Sequence, residues 1–127
     1  MAQKISTLSG ILWHQGEHDA CEELIGPYRE KLLNFFGDLR ADLQTTVPIL
    51  IGGVPLEEYS PDPEKRRYAA MVNDTLRAVA AALPNAYFVS SKGLTSNPDH
   101  LHINSPSLRV FGERYYKVFS EQKSLFD

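Results

Sequence analysis

Two short polar stretches of the sequence hold the residue types that hydrolytic enzymes use. Residues 14–18 read HQGEH and residues 99–102 read DHLH. Together they contain all four histidines of the chain, and each includes a carboxylate, Glu17 or Asp99. A histidine beside a carboxylate can bind a metal ion or carry protons in acid–base catalysis. The two stretches are therefore the first places to look for chemistry.

The stretch HQGEH fits H-x-x-E-H, a pattern that belongs to a class of zinc peptidases when it lies on a helix. A zinc site would need His14 and His18 on one helical face and a third ligand elsewhere. Gly16 disfavours a helix at this point. The helix start signal, Asp19 followed by Glu22, comes after the motif. The sequence thus favours an active-site loop or a plain polar turn, and we predict no metal and no cofactor.

The stretch DHLH places an aspartate three residues before a histidine. Asp99 can orient the His102 imidazole by accepting its Nδ1–H, which leaves Nε2 free as a general base. The alternative is that Asp99 only closes a turn after Pro98 and that His102 is a surface residue. From the residues alone, both interpretations stay open.

The rest of the chain alternates between strand-like and helix-like segments. Apolar and β-branched runs predict strands, and apolar residues at helical spacing predict helices. The predicted strands are 4–13, 47–55 and 86–91. The predicted helices are a short one capped by Asp19 and interrupted at Gly26-Pro27, a long one over 28–43, one over 64–83, and one opened by Ser105 as N-cap and Pro106. The order β-α-β-α-β-α predicts an α/β fold with a parallel sheet covered by helices.

This order also predicts where the chemistry lies. In open parallel sheets, ligands bind beyond the carboxyl ends of the strands. The stretch HQGEH follows the first predicted strand, and DHLH lies in the loop after the third. Both are therefore expected at the same edge of the sheet.

Composition narrows the class of protein. The chain of 127 residues fits a single domain, and its net charge of −3 gives no sign of nucleic-acid or anionic-membrane binding. No apolar run is long enough to span a membrane, and no signal-peptide pattern is visible. Cys21 is the only cysteine, so an intrachain disulfide is excluded. The compartment stays open, with the cytoplasm as the default.

Both polar stretches resemble blocks of a known family. GILWHQGEHD (10–19) resembles the third block of the SGNH-type carbohydrate esterases, where a W-x-Q-G-E core follows a central strand; this group includes acetylxylan esterases and resembles sialate O-acetylesterases. DHLHINSPSLRVFGERY (99–115) resembles the final block, where D-x-x-H precedes a helix with an arginine and a G-x-R-Y run. The resemblance implies a three-layer α/β/α flavodoxin-like fold. It also implies hydrolysis of acetyl esters on a carbohydrate substrate without a metal.

The resemblance implies roles for five residues. His102 is the general base that takes the proton of a serine nucleophile, and Asp99 is the partner that orients it. Glu17 is a competing carboxylate for that task. Gln15 stands where related enzymes place an amide facing the oxyanion, and Gly16 lets the turn approach the substrate closely.

Two parts of the family pattern are not found in the sequence. The G-x-S-N-like turn that carries the nucleophile and the block that supplies a backbone oxyanion donor are missing. We therefore expect 1–127 to be one domain that corresponds to the C-terminal part of such an esterase and to be inactive alone. It is a fragment, one piece of a split enzyme, or a shortened relative that binds a carbohydrate or a partner without catalysis. A half-sheet would expose strand edges, which predicts a homodimer or a complementing chain.

Overall fold

The computed structural model describes residues 7–126 and has the predicted α/β alternation. Its elements are β1 (Ile11–Trp13), a 3₁₀ turn (Glu17–Asp19), α1 (Glu22–Leu43), β2 (Ile49–Gly52), α2 (Leu56–Tyr59), α3 (Pro63–Ala82), β3 (Ala86–Val89) and α4 (Ser105–Phe126). The strands are parallel and lie in the order β1-β2-β3. The predicted parallel sheet is therefore confirmed, and α2 is an addition to the predicted elements.

The central strand β2 separates two apolar layers. Successive side chains of a strand point to opposite faces, so Ile49 and Ile51 join one cluster while Leu50 joins the other. The first cluster packs beneath α1 and α3, and the second packs against α4 through Phe111 and Tyr115. This arrangement confirms the three-layer α/β/α fold.

The first strand is shorter than predicted. Residues 4–6 lie outside the described part of the chain, and only Ile11–Trp13 form β1. The Ile11 amide donates to the Pro48 carbonyl at 2.9 Å. The next rung of a parallel ladder would need an amide at position 48, which proline lacks. The third strand is also shorter than predicted, since β3 ends at Val89 and not at Ser91.

The predicted break at Gly26-Pro27 is wrong, because α1 runs through Pro27 as one helix. A proline this near the start removes one main-chain hydrogen bond. Burial of Tyr28 and Phe36, which are 4% and 0% exposed, stabilises the helix by more than that loss.

The predicted helix caps are also partly wrong. Cys21, not Asp19, is the N-cap of α1, since the chain first makes the 3₁₀ turn and buries Ala20. Asn104, not Ser105, caps α4, because its Oδ1 accepts the Ser107 amide at 3.0 Å. Helix α3 begins one residue before the predicted position, after Asp62 as N-cap. No helix within residues 7–126 is long and apolar enough to cross a membrane.

Candidate active site

The turn that carries DHLH is organised by one carboxylate. Oδ2 of Asp99 lies 2.6 Å from Nδ1 of His102. Oδ1 accepts the main-chain amides of Leu101 at 2.9 Å and of His102 at 3.0 Å. His100 takes a positive φ of 55°, which tightens the turn. Asp99 thus closes the turn and also holds the imidazole, so its role is not limited to the turn. The role of His102 as a general base stays a prediction.

The charge of Asp99 fixes the tautomer of the histidine. The hydrogen bond from His102, and then the amides of Leu101 and His102, lower the pKa of Asp99 to about 2. Because an ionised carboxylate can only accept hydrogen bonds, Nδ1 of His102 carries a proton. Nε2 is then the ring nitrogen that can act as a base.

The HQGEH turn meets this loop at the carboxyl-end edge of the sheet. His14, Glu17 and His102 line one cavity of about 360 Å³ together with Leu101, Ile103 and Leu108. Glu17 Oε1 lies 3.8 Å from His14 Nε2. Asp99, and not Glu17, is the carboxylate bonded to the His102 ring. The two histidine-bearing loops therefore share a cavity, to which one loop contributes His102 and the other contributes His14 and Glu17.

Gln15 and Gly16 occupy the bend between β1 and the 3₁₀ turn. The main-chain carbonyl of Gln15 accepts the Tyr28 hydroxyl at 3.4 Å, and its exposed side chain is not among those that line the cavity. Gly16 has φ 147°, and a Cβ there would lie 2.9 Å from both Tyr28 Oη and Val72 Cγ1. Glycine is thus required here by the packing of the loop on the core.

We expect Gly16→Ala to lower the free energy of unfolding by about 1–3 kcal/mol, through backbone strain and overpacking. Gly26→Ala is the matched control, because nothing lies within 4 Å of its added Cβ. In a helix that change is neutral or stabilising, by at most about 1 kcal/mol. Urea unfolding followed by circular dichroism measures both. Equal stability of the two variants would contradict the packing role of Gly16.

Tyr59 is a site residue that sequence reasoning missed. Its hydroxyl donates to the Leu101 carbonyl at 2.6 Å. Burial, and then the nearby charges of Glu17 and Asp99, raise the pKa of Tyr59 to about 12. The tyrosine therefore stays protonated as a donor, and it ties α2 to the DHLH turn beside both carboxylates.

The geometry differs from that of a helical zinc motif. His14 precedes the 3₁₀ turn, and His18 lies within it, so they do not share an α-helical face. Across residues 7–126, no group of three or more His, Cys, Asp or Glu side chains is arranged to hold a metal ion. No serine of this described part lines the cavity or bonds to the His102 ring.

Comparison with known proteins identifies the family. A family model described as carbohydrate esterase, sialic acid-specific acetylesterase matches residues 1–121. The chain belongs to this family of carbohydrate esterases. The match confirms the esterase family that the two sequence blocks predicted, and with it an esterase activity at the level of the family.

Solved structures give the same fold. A protein from Arabidopsis thaliana superposes with a TM-score of 0.78 at 21% sequence identity, over 94% of this chain and 46% of that one. The carbohydrate esterase chain thus spans about half the length of that structure. None of the curated proteins matches it.

Proposed function

We propose that this chain supplies the acid–base half of a serine-dependent carbohydrate O-acetylesterase site. The observation that carries the proposal is the 2.6 Å hydrogen bond between Asp99 and Nδ1 of His102. It fixes the orientation and tautomer that a general base needs. The His102 side chain is 72% exposed and lines the cavity, so a substrate and a nucleophile can both reach it.

In the proposed reaction, His102 takes the proton of a serine hydroxyl while the serine oxygen attacks the acetyl carbonyl. The bond between the acetyl carbon and the sugar oxygen then breaks, and His102 gives the proton to that oxygen. Water, deprotonated by His102, then attacks the carbonyl of the acetyl-serine. The bond between the acetyl carbon and the serine oxygen breaks, acetate leaves, and His102 returns the proton to the serine oxygen. Asp99 stabilises the imidazolium formed in each half of the reaction. The serine comes from outside the described residues, either from this protein or from a second chain.

Three further residues have proposed supporting roles. The amide of Gln15 faces the oxyanion once substrate is bound, where one donor typically contributes about 10²–10³ in rate. Gly16 shapes the turn that presents this amide. Glu17 lines the cavity, and Asp99, not Glu17, is the carboxylate bonded to the His102 ring. Its proposed role is to accept a hydrogen bond from a sugar hydroxyl.

The free edge of β1 is the place where we propose that the site is completed. Within residues 7–126, β1 pairs with β2 alone. Leu12 and Tyr116 beside this edge are 66% and 72% exposed, and an apolar cavity of about 340 Å³ runs between them. We propose that a further strand, from a second copy of the chain or a complementing chain, covers this edge.

The edge proposal predicts that a Leu12→Lys, Tyr116→Lys double variant lowers the mass of the assembly measured by light scattering. Two charges on the apolar surface would oppose its burial. Met71→Lys is the matched control, because Met71 is 42% exposed on α3, away from this edge. A wild-type protein that is already a monomer, with no companion chain, would contradict the proposal.

A fluorophosphonate probe tests the serine mechanism. The complete gene product, with any companion chain that co-purifies, is treated with the probe and digested, and the labelled peptide is identified by mass spectrometry. We expect one labelled serine, and less labelling in a His102→Ala variant, because the serine loses its base. Labelling that is absent, or that is equal in the two proteins, would contradict the mechanism.

A second function is favoured by the absence of a serine from the cavity lining within residues 7–126. The protein would then bind an acetylated carbohydrate or a partner chain without hydrolysing it. In that case, acetylated sugar would bind to both wild-type protein and His102→Ala, and neither would release acetate.

A further inference from the structure

The residues that carry the Asp99–His102 pair form the exposed tip of a short hairpin. An antiparallel bridge joins Ser96 to Ile103 at its base, and Ile103 belongs to the buried cluster that packs against α4. Every residue of the tip, 97–102, is exposed. Segments with few buried apolar contacts open and move most easily. The base of the hairpin is therefore anchored by packing, whereas the tip is not.

A single hydrogen bond joins this tip to the rest of the described chain. The Tyr59 hydroxyl donates to the Leu101 carbonyl at 2.6 Å. The other hydrogen bonds that 97–102 make within residues 7–126 stay inside the tip. Tyr59 packs against the apolar cluster beneath α1 and α3, and it is not among the residues that line the cavity at His102. Its hydroxyl is therefore placed to hold the turn and not to contact a substrate.

Helix α2 holds Tyr59 in a fixed place. A helix of four residues is not stable by itself, so its position comes from its contacts. Oε2 of Glu57 accepts Nδ2 of Asn73, a buried residue of α3, at 2.7 Å. Oε2 of Glu58 accepts the Gly93 amide at 2.6 Å. Gly93 lies in the loop that ends in the hairpin, so α2 bonds to this loop near its start and again at its tip.

We propose that Tyr59 is a positioning residue for His102, and this proposal rests on the proposed esterase function. Asp99 fixes the imidazole relative to the turn, and Tyr59 fixes the turn relative to the sheet and the cavity. A general base must lie within hydrogen-bond reach of the proton that it takes, and such groups have to be held within about 0.5 Å of the productive geometry. Without the Tyr59 hydroxyl, the exposed tip moves and Nε2 of His102 spends less time within reach of the serine.

Tyr59→Phe tests the proposal, because it removes the hydroxyl and keeps the ring that packs on the core. We expect kcat for acetate release by the complete gene product to fall by about tenfold to a hundredfold, the size of effect that a small misplacement of a catalytic group produces. KM should change little, since Tyr59 does not line the cavity. Unchanged kcat, or a loss confined to KM, would overturn the proposal.

Tyr87→Phe is the matched control. The Tyr87 hydroxyl also makes one hydrogen bond, to Oδ1 of Asn85 at 2.9 Å. Asn85 directly precedes β3, so this bond lies at the amino-end edge of the sheet, opposite the site. The control should keep its kcat. Equal losses in the two variants would mean that removal of a tyrosine hydroxyl acts through general stability, which would overturn the positioning role.

NMR relaxation of the ¹⁵N-labelled protein gives a readout that needs no substrate. Order parameters of about 0.85 indicate a rigid backbone, and values below about 0.6 indicate a flexible one. We expect the amides of Leu101 and His102 to be rigid in the wild type and in Tyr87→Phe, and flexible in Tyr59→Phe. The amide of Ile103, at the anchored base, should stay rigid in all three proteins. Order parameters at the tip that are the same in Tyr59→Phe and the wild type would overturn the proposal.

The two readouts separate this proposal from the esterase function. A wild type that releases no acetate, together with a tip that becomes flexible in Tyr59→Phe, would count against the esterase function and leave the role of Tyr59 in ordering the turn. Acetate release that is equal in the wild type and in Tyr59→Phe, with a rigid tip in both, would count against the positioning role alone.

Discussion

Replacing His102 by alanine is expected to lower kcat/KM for acetate release from an O-acetylated sugar by about 10⁴-fold. The variant leaves Asp99 and the cavity in place and removes the group that, in the proposed mechanism, moves protons in both halves of the reaction. The loss should fall on kcat, because a base contributes in the transition state and little to substrate binding. Initial rates of acetate release by the complete gene product measure it.

His100→Asn is the matched control in the same turn. His100 is exposed and has φ 55°, a conformation that asparagine tolerates. We expect this variant to keep its kcat/KM. Equal losses in the two variants would mean that the turn, not the His102 imidazole, carries the effect.

Replacing Asp99 by asparagine is expected to lower kcat by about 10²–10³-fold, with KM little changed. The amide keeps an oxygen that can accept the amides of Leu101 and His102, so the turn persists. Its NH₂ group cannot accept from Nδ1, so the imidazole loses the partner that fixes its tautomer. The loss is smaller than the roughly 10⁴-fold known for a buried triad aspartate, because the Asp99 side chain is 45% exposed. Activity equal to that of the wild type would exclude Asp99 as the partner and leave Glu17.

The pH dependence of the turn gives this substitution a second readout. Folding lowers the pKa of Asp99 from 3.8 to about 2. A lowered carboxyl pKa stabilises the folded form above the unfolded pKa, and that contribution is lost as the pH falls towards the folded pKa. We therefore expect amide signals of Leu101 and His102 to change between about pH 4 and pH 2 in the wild type. Asp99→Asn should lack this transition.

The parts of the fold that follow from local pattern could be predicted. The apolar run at 47–55 predicted a buried parallel strand, and the strand that forms within it, Ile49–Gly52, lies at the centre of the sheet. Ligands of open parallel sheets bind beyond the carboxyl ends of the strands, which predicted that HQGEH and DHLH lie at one edge. At that edge, His14, Glu17 and His102 line a cavity. These features depend on strand order and periodicity, which the sequence carries.

The features that depend on distant contacts could not be predicted. Helix α2 has four residues within a proline-rich segment, and Tyr59 acts through a bond to Leu101, 42 residues away. The sequence could not decide whether Asp99 or Glu17 bonds to the His102 imidazole. That depends on the path of the HQGEH turn, which is set by Gly16 packing on the core. Pro27 lies inside α1 because tertiary packing outweighs the local preference for a break.

The measurement that tests the central claim most directly is acetate release from O-acetylated oligosaccharides by the complete gene product, with and without a fluorophosphonate. We predict steady release that stops once the probe has reacted, and that depends on His102. A folded protein that releases no acetate, or one whose activity persists after the probe has reacted, would contradict the assignment of Asp99 and His102 as the acid–base pair of a serine esterase.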